Sequence, residues 1–202
     1  MIKIIKAIAV ILFPLVIILN VFNYYAFSES FYKNELPKHN VENVQSALKV
    51  VNYLRSRDQL PAVSEKEKVH MSDVKSIIQK TSFIRNLLTA AFILAILILL
   101  ICKNSISRTL ALGSALTVLI ALSIIVLSAV SFSHLFTLFH KFAFNNDYWL
   151  LPEGSVLTTL FPASFFFSIF TKILIATILI SVLVFLFAAL KKLKTFKYKL
   201  VS

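Results

Sequence analysis

The sequence has little glycine and almost no cysteine, and each shortage excludes a class of protein. Gly113 and Gly154 are the only glycines in 202 residues, so the chain has neither a glycine-rich phosphate loop nor a Gly-x-Ser-x-Gly nucleophile turn. Cys102 stands alone, so no internal disulfide can form. The common soluble nucleotide-binding and serine-hydrolase folds are therefore poor descriptions of this chain.

Acidic residues are also scarce, and their placement is uneven. Nine Asp and Glu stand against 21 Lys and Arg, which gives a formal net charge of +12. All nine acids fall within residues 29–73 and 147–153, whereas residues 1–6, 102–108 and 191–202 are basic and contain none. Short basic segments that stay in the cytoplasm follow the positive-inside rule, so we expect both termini inside. We expect the basic C-terminal tail to contact anionic lipid headgroups rather than nucleic acid.

Long apolar blocks are abundant in this chain. Its hydrophobic content is 58% and its mean hydropathy +0.85, too apolar for a soluble protein of this size. Because about 20 helical residues cross a hydrocarbon core of about 30 Å, the blocks predict four transmembrane helices. We predict an all-α membrane protein forming a single integral membrane domain over 1–202. Its predicted spans are about 7–27, 83–102, 109–130 and 166–190, with helical outward segments at 28–82 and 131–165.

The first outward segment is predicted to contain two helices. Apolar residues at helical spacing between Val41 and Leu54 predict an amphipathic helix capped at Asn40. Ser64-Glu65-Lys66-Glu67 is a capping-box pattern, which predicts the start of a helix that runs toward the second span. We expect the acids at positions 29, 35, 42, 65 and 67 to form a solvated face.

The second outward segment is rich in Phe, Tyr and Trp beside a few polar groups, which predicts a segment lying in the membrane interface. His140 lies in this segment and is followed by Asn145, Asn146 and Asp147, which could orient it or supply hydrogen-bond donors. We expect His134 to be an interfacial side chain.

A second histidine comes just before the second predicted span. On a helix His70 and Asp73, at i and i+3, share a face. A carboxylate in that position can fix the tautomer of a neutral imidazole, as general-base catalysis requires. We expect His39, next to Pro37 and Lys38, to be a solvated loop residue.

Two local patterns resemble the lipoprotein intramolecular transacylases, which are small four-helix membrane proteins of low-GC Gram-positive bacteria. His70-Met-Ser-Asp73-Val74-Lys75 resembles the family pattern H-x-x-D-V-[KR]. The second and more specific pattern is Phe139-His140-x-x-x-Phe144-x-Asn146-x-x-Trp149-x-x-Pro152, followed by Leu160-Phe161-Pro162-x-x-Phe165-Phe166. The sequence departs from the family at Ser155 and Ala163, where acidic residues are usual.

The resemblance implies an acyl transfer within one substrate molecule. The sn-2 acyl chain of a diacylglyceryl lipoprotein would move to the α-amino group of its N-terminal cysteine and leave a lyso-form lipoprotein. Carried over residue by residue, the resemblance points to His70 and His140 as catalytic. We add Asp73 to this set, as the group that orients His70. The predicted substrate-binding residues are Asn145, Asn146, Asp147 and Trp149.

Elementary chemistry agrees with that implication. An α-amine with a pKa of about 8 must lose a proton before it attacks an ester, and a neutral histidine can accept it. Because the amine and the ester belong to one molecule, their effective concentration is high and no acyl-enzyme is required. The predicted reaction needs neither a cofactor nor a metal, its partners are the lipoprotein and membrane lipid, and the oligomeric state stays open.

Two alternatives remain at this point. One is a metal-dependent lipid hydrolase of the outer leaflet that uses His70, Asp73, His140 and Asp147 as ligands. The other is a non-enzymatic membrane module that holds a partner through its outward segments.

Overall fold

The described part of the chain is almost entirely helical. The structure, a computed structural model, describes the backbone of residues 1–201 and the side chains of residues 1–191. No strand occurs within residues 1–201, and a short 3₁₀ turn covers Leu36–His39. The side chains of Lys192, Lys194, Lys197 and Lys199 in the basic tail lie outside the described residues. The helices are α1 Ile2–Phe27, α2 Glu29–Glu35, α3 Val44–Leu54, α4 Glu65–Ile101, α5 Ser107–Ala143, α6 Val156–Leu160 and α7 Ala163–Val201.

Four of these helices, α1, α4, α5 and α7, are long and apolar enough to cross a membrane. Each contains one of the predicted spans, apart from Cys102, which lies in the turn after α4 and is exposed. The predicted fold class, an all-α membrane protein with four spanning helices, is therefore confirmed, while the exact limits of the spans stay a prediction.

Contacts divide the chain into two compact units, of which the first contains residues 1–21, 83–126 and 173–202. Within it α1 and α5 come very close, because a Cβ atom built on Gly113 would lie 2.7 Å from Cβ of Phe13. Small residues permit this kind of approach between helices in lipid. Asn20 is satisfied by its neighbours, since its Nδ2 donates to the Val16 carbonyl at 2.8 Å and to Thr89 Oγ1 at 3.1 Å.

The second unit contains residues 22–82 and 127–172 and has its own hydrophobic core. The apolar stripe of α3 contributes to that core, as the amphipathic pattern predicts. The expected cap is wrong, however. Asn43 caps α3 by accepting from the Ser46 N–H at 3.0 Å, whereas Asn40, with φ of 59°, ends the 3₁₀ turn in the left-handed conformation. The fully buried members of the core are Tyr32, Leu36, Val41, Ala47, Leu48, Val50, Val51, Met71, Leu157, Leu160 and Phe165.

The start of α4 confirms the predicted capping box. The backbone N–H of Ser64 donates to Glu67 Oε2 at 2.8 Å, and the N–H of Glu67 donates back to Ser64 Oγ at 3.3 Å. The other oxygen of Glu67 accepts from the N–H of Leu157 in α6 at 2.8 Å. Glu67 is only 2% exposed, so the expected solvated position is wrong. Its carboxylate is used inside the fold, where it satisfies N–H groups of two helices.

Helix α5 is interrupted at Ser131, whose φ of −163° and ψ of 94° are extended rather than helical. Ser131 Oγ accepts from the N–H of His134 at 3.2 Å and so caps the helix that restarts after the break. The Phe-rich start of the second outward segment is therefore helical, and it carries His140 in its last turn.

Candidate active site

The structure brings His70 and His140 together. His70 lies in the second turn of α4 and His140 near the end of α5, and their ring centroids are 6.3 Å apart with an interplanar angle of 33°. Both belong to the second unit, and both lie outside the predicted spans 83–102 and 109–130. The proximity expected from the sequence is therefore found, although 70 positions separate the two residues.

Aromatic side chains surround this histidine pair. Phe136 and Trp149 lie next to His140, with ring centroids at 4.2 Å and 5.0 Å, and Phe144 contacts both imidazoles at 5.1 Å and 5.6 Å. His140 is 8% exposed. Trp149, expected as a substrate-binding residue, therefore forms part of the wall beside His140.

His140 has a defined tautomer. Its Nδ1 lies 2.7 Å from the backbone carbonyl of Phe136, and since a carbonyl can only accept, Nδ1 must carry the hydrogen. Burial lowers the pKa of His140 and outweighs the opposing effect of the Phe136 carbonyl. The ring is therefore neutral near pH 7, and Nε2 keeps its lone pair.

His70 is held neutral even more strongly. Burial is the main cause that lowers its pKa to about 4; His140 adds to the effect and the negative charge of Asp73 opposes it. Its Nδ1 is buried and has no hydrogen-bond partner among the described side chains. The site thus contains two neutral imidazoles, each with ring nitrogen capacity left for a ligand.

Asp73 does not hold His70 in the way the sequence suggested. Among the described side chains, its hydrogen bond is with Asn146, whose Nδ2 donates to Asp73 Oδ2 at 2.9 Å. Asn146 is itself fixed, because its Oδ1 accepts from the N–H of Tyr148 at 3.0 Å. Asp73 acts on His70 through its charge, while the expected tautomer-fixing hydrogen bond does not form.

The remaining predicted residues are more peripheral. Asn145 and Asp147 are exposed, and what fixes the turn at Asp147 is its backbone carbonyl, which accepts from the N–H of Leu150 at 3.1 Å. His134 is exposed as well, which agrees with an interfacial side chain.

Comparison with known proteins identifies the family of this chain. The family model of lipoprotein intramolecular transacylase Lit matches residues 4–166. The chain belongs to this family. A comparison with curated proteins gave no match.

Solved structures of a transacylase of this family share the fold. The in meso structure of the membrane-integral Lit from Bacillus cereus has a TM-score of 0.85 and 24% identity, covering 97% of this chain and 98% of that chain. Structures of two variants of that protein, in which a histidine is replaced by arginine or by alanine, have TM-scores of 0.78 and 22% identity. Each covers 96% of this chain, and the matches take in 95% and 96% of the variant chains.

This member of the transacylase family has a second polar cluster that the sequence did not reveal. We call it the Glu35 cluster. Lys38 Nζ donates to Glu35 Oε2 at 3.0 Å, Lys172 pairs with the same oxygen, and Ser168 donates to Oε1. Its members are Glu35, Lys38, His39, Ser164, Ser168 and Lys172.

Two expectations are wrong at this cluster. His39 is not a solvated loop residue: its side chain is 15% exposed, its Nδ1 lies 3.0 Å from Ser164 Oγ, and its Nε2 lies 3.6 Å from Glu35 Oε1. Glu35 is 4% exposed rather than solvated. Burial raises the pKa of Glu35, but hydrogen bonds from Lys172, Ser168 and Lys38 outweigh it and bring the pKa to about 2. Lys172 in an apolar helix was the available signal, since such a charge needs a partner.

The ligand set of the metal-dependent alternative is not assembled in this transacylase fold. Among the described side chains, no group of three His, Cys, Asp or Glu residues is arranged to hold a metal ion. Nδ1 of His140 is bonded to the Phe136 carbonyl and Oδ2 of Asp73 to Asn146, so two of the four proposed ligands already use a donor or acceptor atom in contacts within the fold.

Proposed function

We propose that this protein moves the sn-2 acyl chain of a diacylglyceryl lipoprotein onto the α-amino group of the lipoprotein's N-terminal cysteine, which leaves a lyso-form lipoprotein. The observation that carries the proposal, beside the family, is the pair of neutral imidazoles with ring centroids 6.3 Å apart. Two such rings can move a proton between an amine and an alcohol without any covalent intermediate on the enzyme.

The reaction requires one new bond, one broken bond and one proton transfer. The free amine attacks the sn-2 carbonyl, an N–C bond forms, and the C–O bond to glycerol breaks. The proton leaving the nitrogen passes through an imidazole to the departing glycerol oxygen, so His70 and His140 begin and end neutral. When Nε2 of His140 carries this proton, His70 can donate an N–H to the developing oxyanion, whereas the N–H of neutral His140 is already bonded to the Phe136 carbonyl. Both rings are fit for the exchange, and we assign the acid and base roles to them jointly.

The aromatic wall supports transfer over hydrolysis. Phe136, Phe144 and Trp149 surround His140 and leave it 8% exposed. Exclusion of water slows attack by hydroxide on the same ester and strengthens the electrostatic contacts within the site. The tethered amine is then the most concentrated nucleophile available.

The charge pattern supports a site that faces the outside of the cell membrane. The segments that carry His70 and His140 also carry all nine acids, while the short segments between and beyond the spanning helices are basic. A histidine pair at the outer interface would meet the ester linkages of a lipoprotein whose acyl chains are anchored in the outer leaflet.

The test is the expression of His70→Ala and His140→Ala in a bacterial host that makes diacylglyceryl lipoproteins but lacks this activity. Acid–base catalysis contributes about 10²–10⁴-fold, so we expect lyso-form product to fall by at least about 100-fold in either variant. Mass spectrometry of the N-terminal peptide of one lipoprotein measures the product.

His134→Ala is the matched control, because His134 is an exposed histidine of α5, the helix that carries His140. It should keep the wild-type yield. Normal yield from His70→Ala or from His140→Ala would remove that residue from the mechanism, and absence of product from the wild-type chain would reject the proposed function.

A further inference from the structure

Two acidic side chains of the second unit, Glu35 and Glu67, are buried and a third, Asp73, is half-buried. The three differ in what neutralises them. Glu35 pairs with Lys38 and Lys172. Glu67 accepts hydrogen bonds from Ser64 and from the N–H of Leu157. Asp73 accepts from one neutral amide, that of Asn146, and forms no ion pair among the described side chains. Of these three carboxylates, Asp73 is the one with an oxygen, Oδ1, that has neither a donor nor a cation within the part of the chain that the structure describes.

Lysines close to Asp73 in the sequence are engaged elsewhere. Lys75 Nζ lies over the ring of Tyr53, 4.2 Å from its centroid, and Lys66 Nζ donates to the carbonyl of Leu150 at 2.6 Å. Since His70 and His140 are neutral near pH 7, the site without substrate carries the single negative charge of Asp73. Asp73 is half-buried, and its second carboxylate oxygen is an acceptor open to a cation of the substrate.

The substrate in the proposed function brings such a cation. The α-amino group of an N-terminal cysteine has a pKa of about 8 and is protonated in most molecules at pH 7. It must also come close to the two imidazoles, one of which, His70, shares a helix with Asp73 and feels its charge.

We propose that Asp73 is the binding site for the α-ammonium group of the substrate, which it holds through Oδ1. The inference rests on the proposed function and assigns to Asp73 a contact with substrate in place of the orientation of His70. Asn146 is then a positioning residue: its amide is fixed by the N–H of Tyr148 and holds Oδ2, which leaves Oδ1 open.

This contact would select the substrate and release the product. The bound ammonium group first gives one proton through an imidazole to solvent, and the free amine that remains attacks the ester. Its second proton goes to the glycerol oxygen and the nitrogen becomes a neutral amide, so the interaction with Asp73 disappears when the reaction is complete. A lipoprotein that already carries an N-acyl group would be a poor ligand for the same reason.

Two lipopeptides that cannot react provide the experiment. Both carry a diacylglyceryl cysteine whose sn-2 chain is joined by an ether; one has a free α-amine and the other an acetylated one. The full-length protein in lipid vesicles should bind the free amine at least about 10-fold more tightly, because a charged hydrogen bond contributes about 1.5–3 kcal/mol. Asp73→Asn keeps the size of the side chain and its acceptor for Asn146, and it should abolish this preference while changing affinity for the acetylated peptide less than about twofold.

Asp58→Asn is the control for loss of a negative charge, since Asp58 is exposed and, among the described residues, accepts from the N–H of Gln59 alone. It should keep the full preference. Retained binding of the acetylated peptide shows that Asp73→Asn is folded. With an ester substrate, Asp73→Asn should raise KM more than it lowers kcat.

The outcomes separate this inference from the function on which it rests. If wild-type protein makes the lyso-form but Asp73→Asn still prefers the free amine, the assignment of Asp73 is wrong and the transacylase function stands. If kcat falls while KM is unchanged, Asp73 acts on the imidazoles and not on the ammonium group. If wild-type protein makes no product, both proposals fail.

Discussion

The second unit holds two clusters made from the same residue types, histidine and carboxylate, and they differ in how completely they are paired. In the Glu35 cluster the carboxylate has two lysines and a serine hydroxyl. Nε2 of His39 has no hydrogen-bond partner among the described residues, but it lies 3.6 Å from Glu35 Oε1. At the histidine pair, Asp73 has one neutral donor and Nδ1 of His70 has none. Each cluster contains one unpartnered histidine nitrogen, so the difference lies in the carboxylates: Glu35 is fully paired, and Asp73 keeps an oxygen open to a further donor.

The largest expected effect is a loss of protein stability when the carboxylate charge of the Glu35 cluster is removed. Glu35→Gln removes the charge that holds Lys38 and Lys172. Loss of one partner of a fully buried pair costs about 3–5 kcal/mol, but both lysines stay partly exposed, so we expect about 2–3 kcal/mol. Thermal unfolding in detergent measures it, with Glu29→Gln as the control, since Glu29 is more exposed and forms only long ion pairs of 3.7–3.9 Å.

Enzyme turnover of the Glu35→Gln variant distinguishes the role of the Glu35 cluster from that of the histidine pair. Glu35→Gln should keep the turnover per folded molecule within about threefold at a temperature where it is folded, since Glu35 contributes no atom to the histidine pair. A loss of turnover as large as that expected for His140→Ala would show that the Glu35 cluster takes part in the chemistry and that pairing does not distinguish the clusters.

The pH dependence of stability sharpens the comparison. The pKa of His70 falls to about 4 on folding from an ordinary value of 6.5, so unfolded protein binds more protons between these values and stability decreases as the pH falls from 6.5 to 4. The pKa of Glu35 falls to about 2 from 4.5, so its contribution is complete above pH 4.5 and is lost as the pH falls toward 2.

Two variants show which residue causes each pH-dependent loss of stability. Melting temperature should decrease first in the window of His70 and then in that of Glu35. His70→Gln should reduce the fall in melting temperature between pH 6.5 and 4, and Glu35→Gln should reduce the fall between pH 4.5 and 2. An upper window that is unchanged in His70→Gln would contradict a buried neutral imidazole at this position.

The smallest expected effect concerns Ser164. Ser164→Ala removes the 3.0 Å contact between Ser164 Oγ and His39 Nδ1. A single net hydrogen bond contributes about 0.5–1.5 kcal/mol, so the melting temperature should fall slightly and the yield of lyso-form should not change. A large loss of product would instead give Ser164 and His39 a chemical role.

The parts of the fold that the sequence predicted are those encoded by neighbouring residues. Hydropathy identifies the four long helices, and the capping box at Ser64 and Glu67 is a contact over three positions. The contacts that were missed join distant positions: Glu35 meets Lys172 and Ser168, and Asp73 meets Asn146. A local sequence pattern does not predict which distant donors will pair with a carboxylate. Glu35 and Glu67 were therefore expected to be exposed to solvent.

The candidate site was predictable to a similar extent. Residue type, a family resemblance and placement beside the spans pointed to His70 and His140. The carbonyl that fixes the tautomer of His140 belongs to Phe136, a partner that depends on the side-chain rotamer within a helix. Asp73 is bonded to Asn146 rather than to His70, and Asn146 is fixed by the N–H of Tyr148. The geometry of the turn that contains Asn146 and Tyr148 cannot be predicted from sequence periodicity.

The break at Ser131 determines which way His140 points. In an uninterrupted α-helix each inserted residue turns everything after it by about 100°, so the aim of a side chain depends on every residue before it. The extended backbone at Ser131 interrupts the helix, and the Ser131 hydroxyl caps a new helical segment. This break lies only nine residues before His140. An insertion or deletion between Ser131 and His140 would therefore turn the imidazole by about 100° per residue relative to the capped start of its own helical segment, and away from His70.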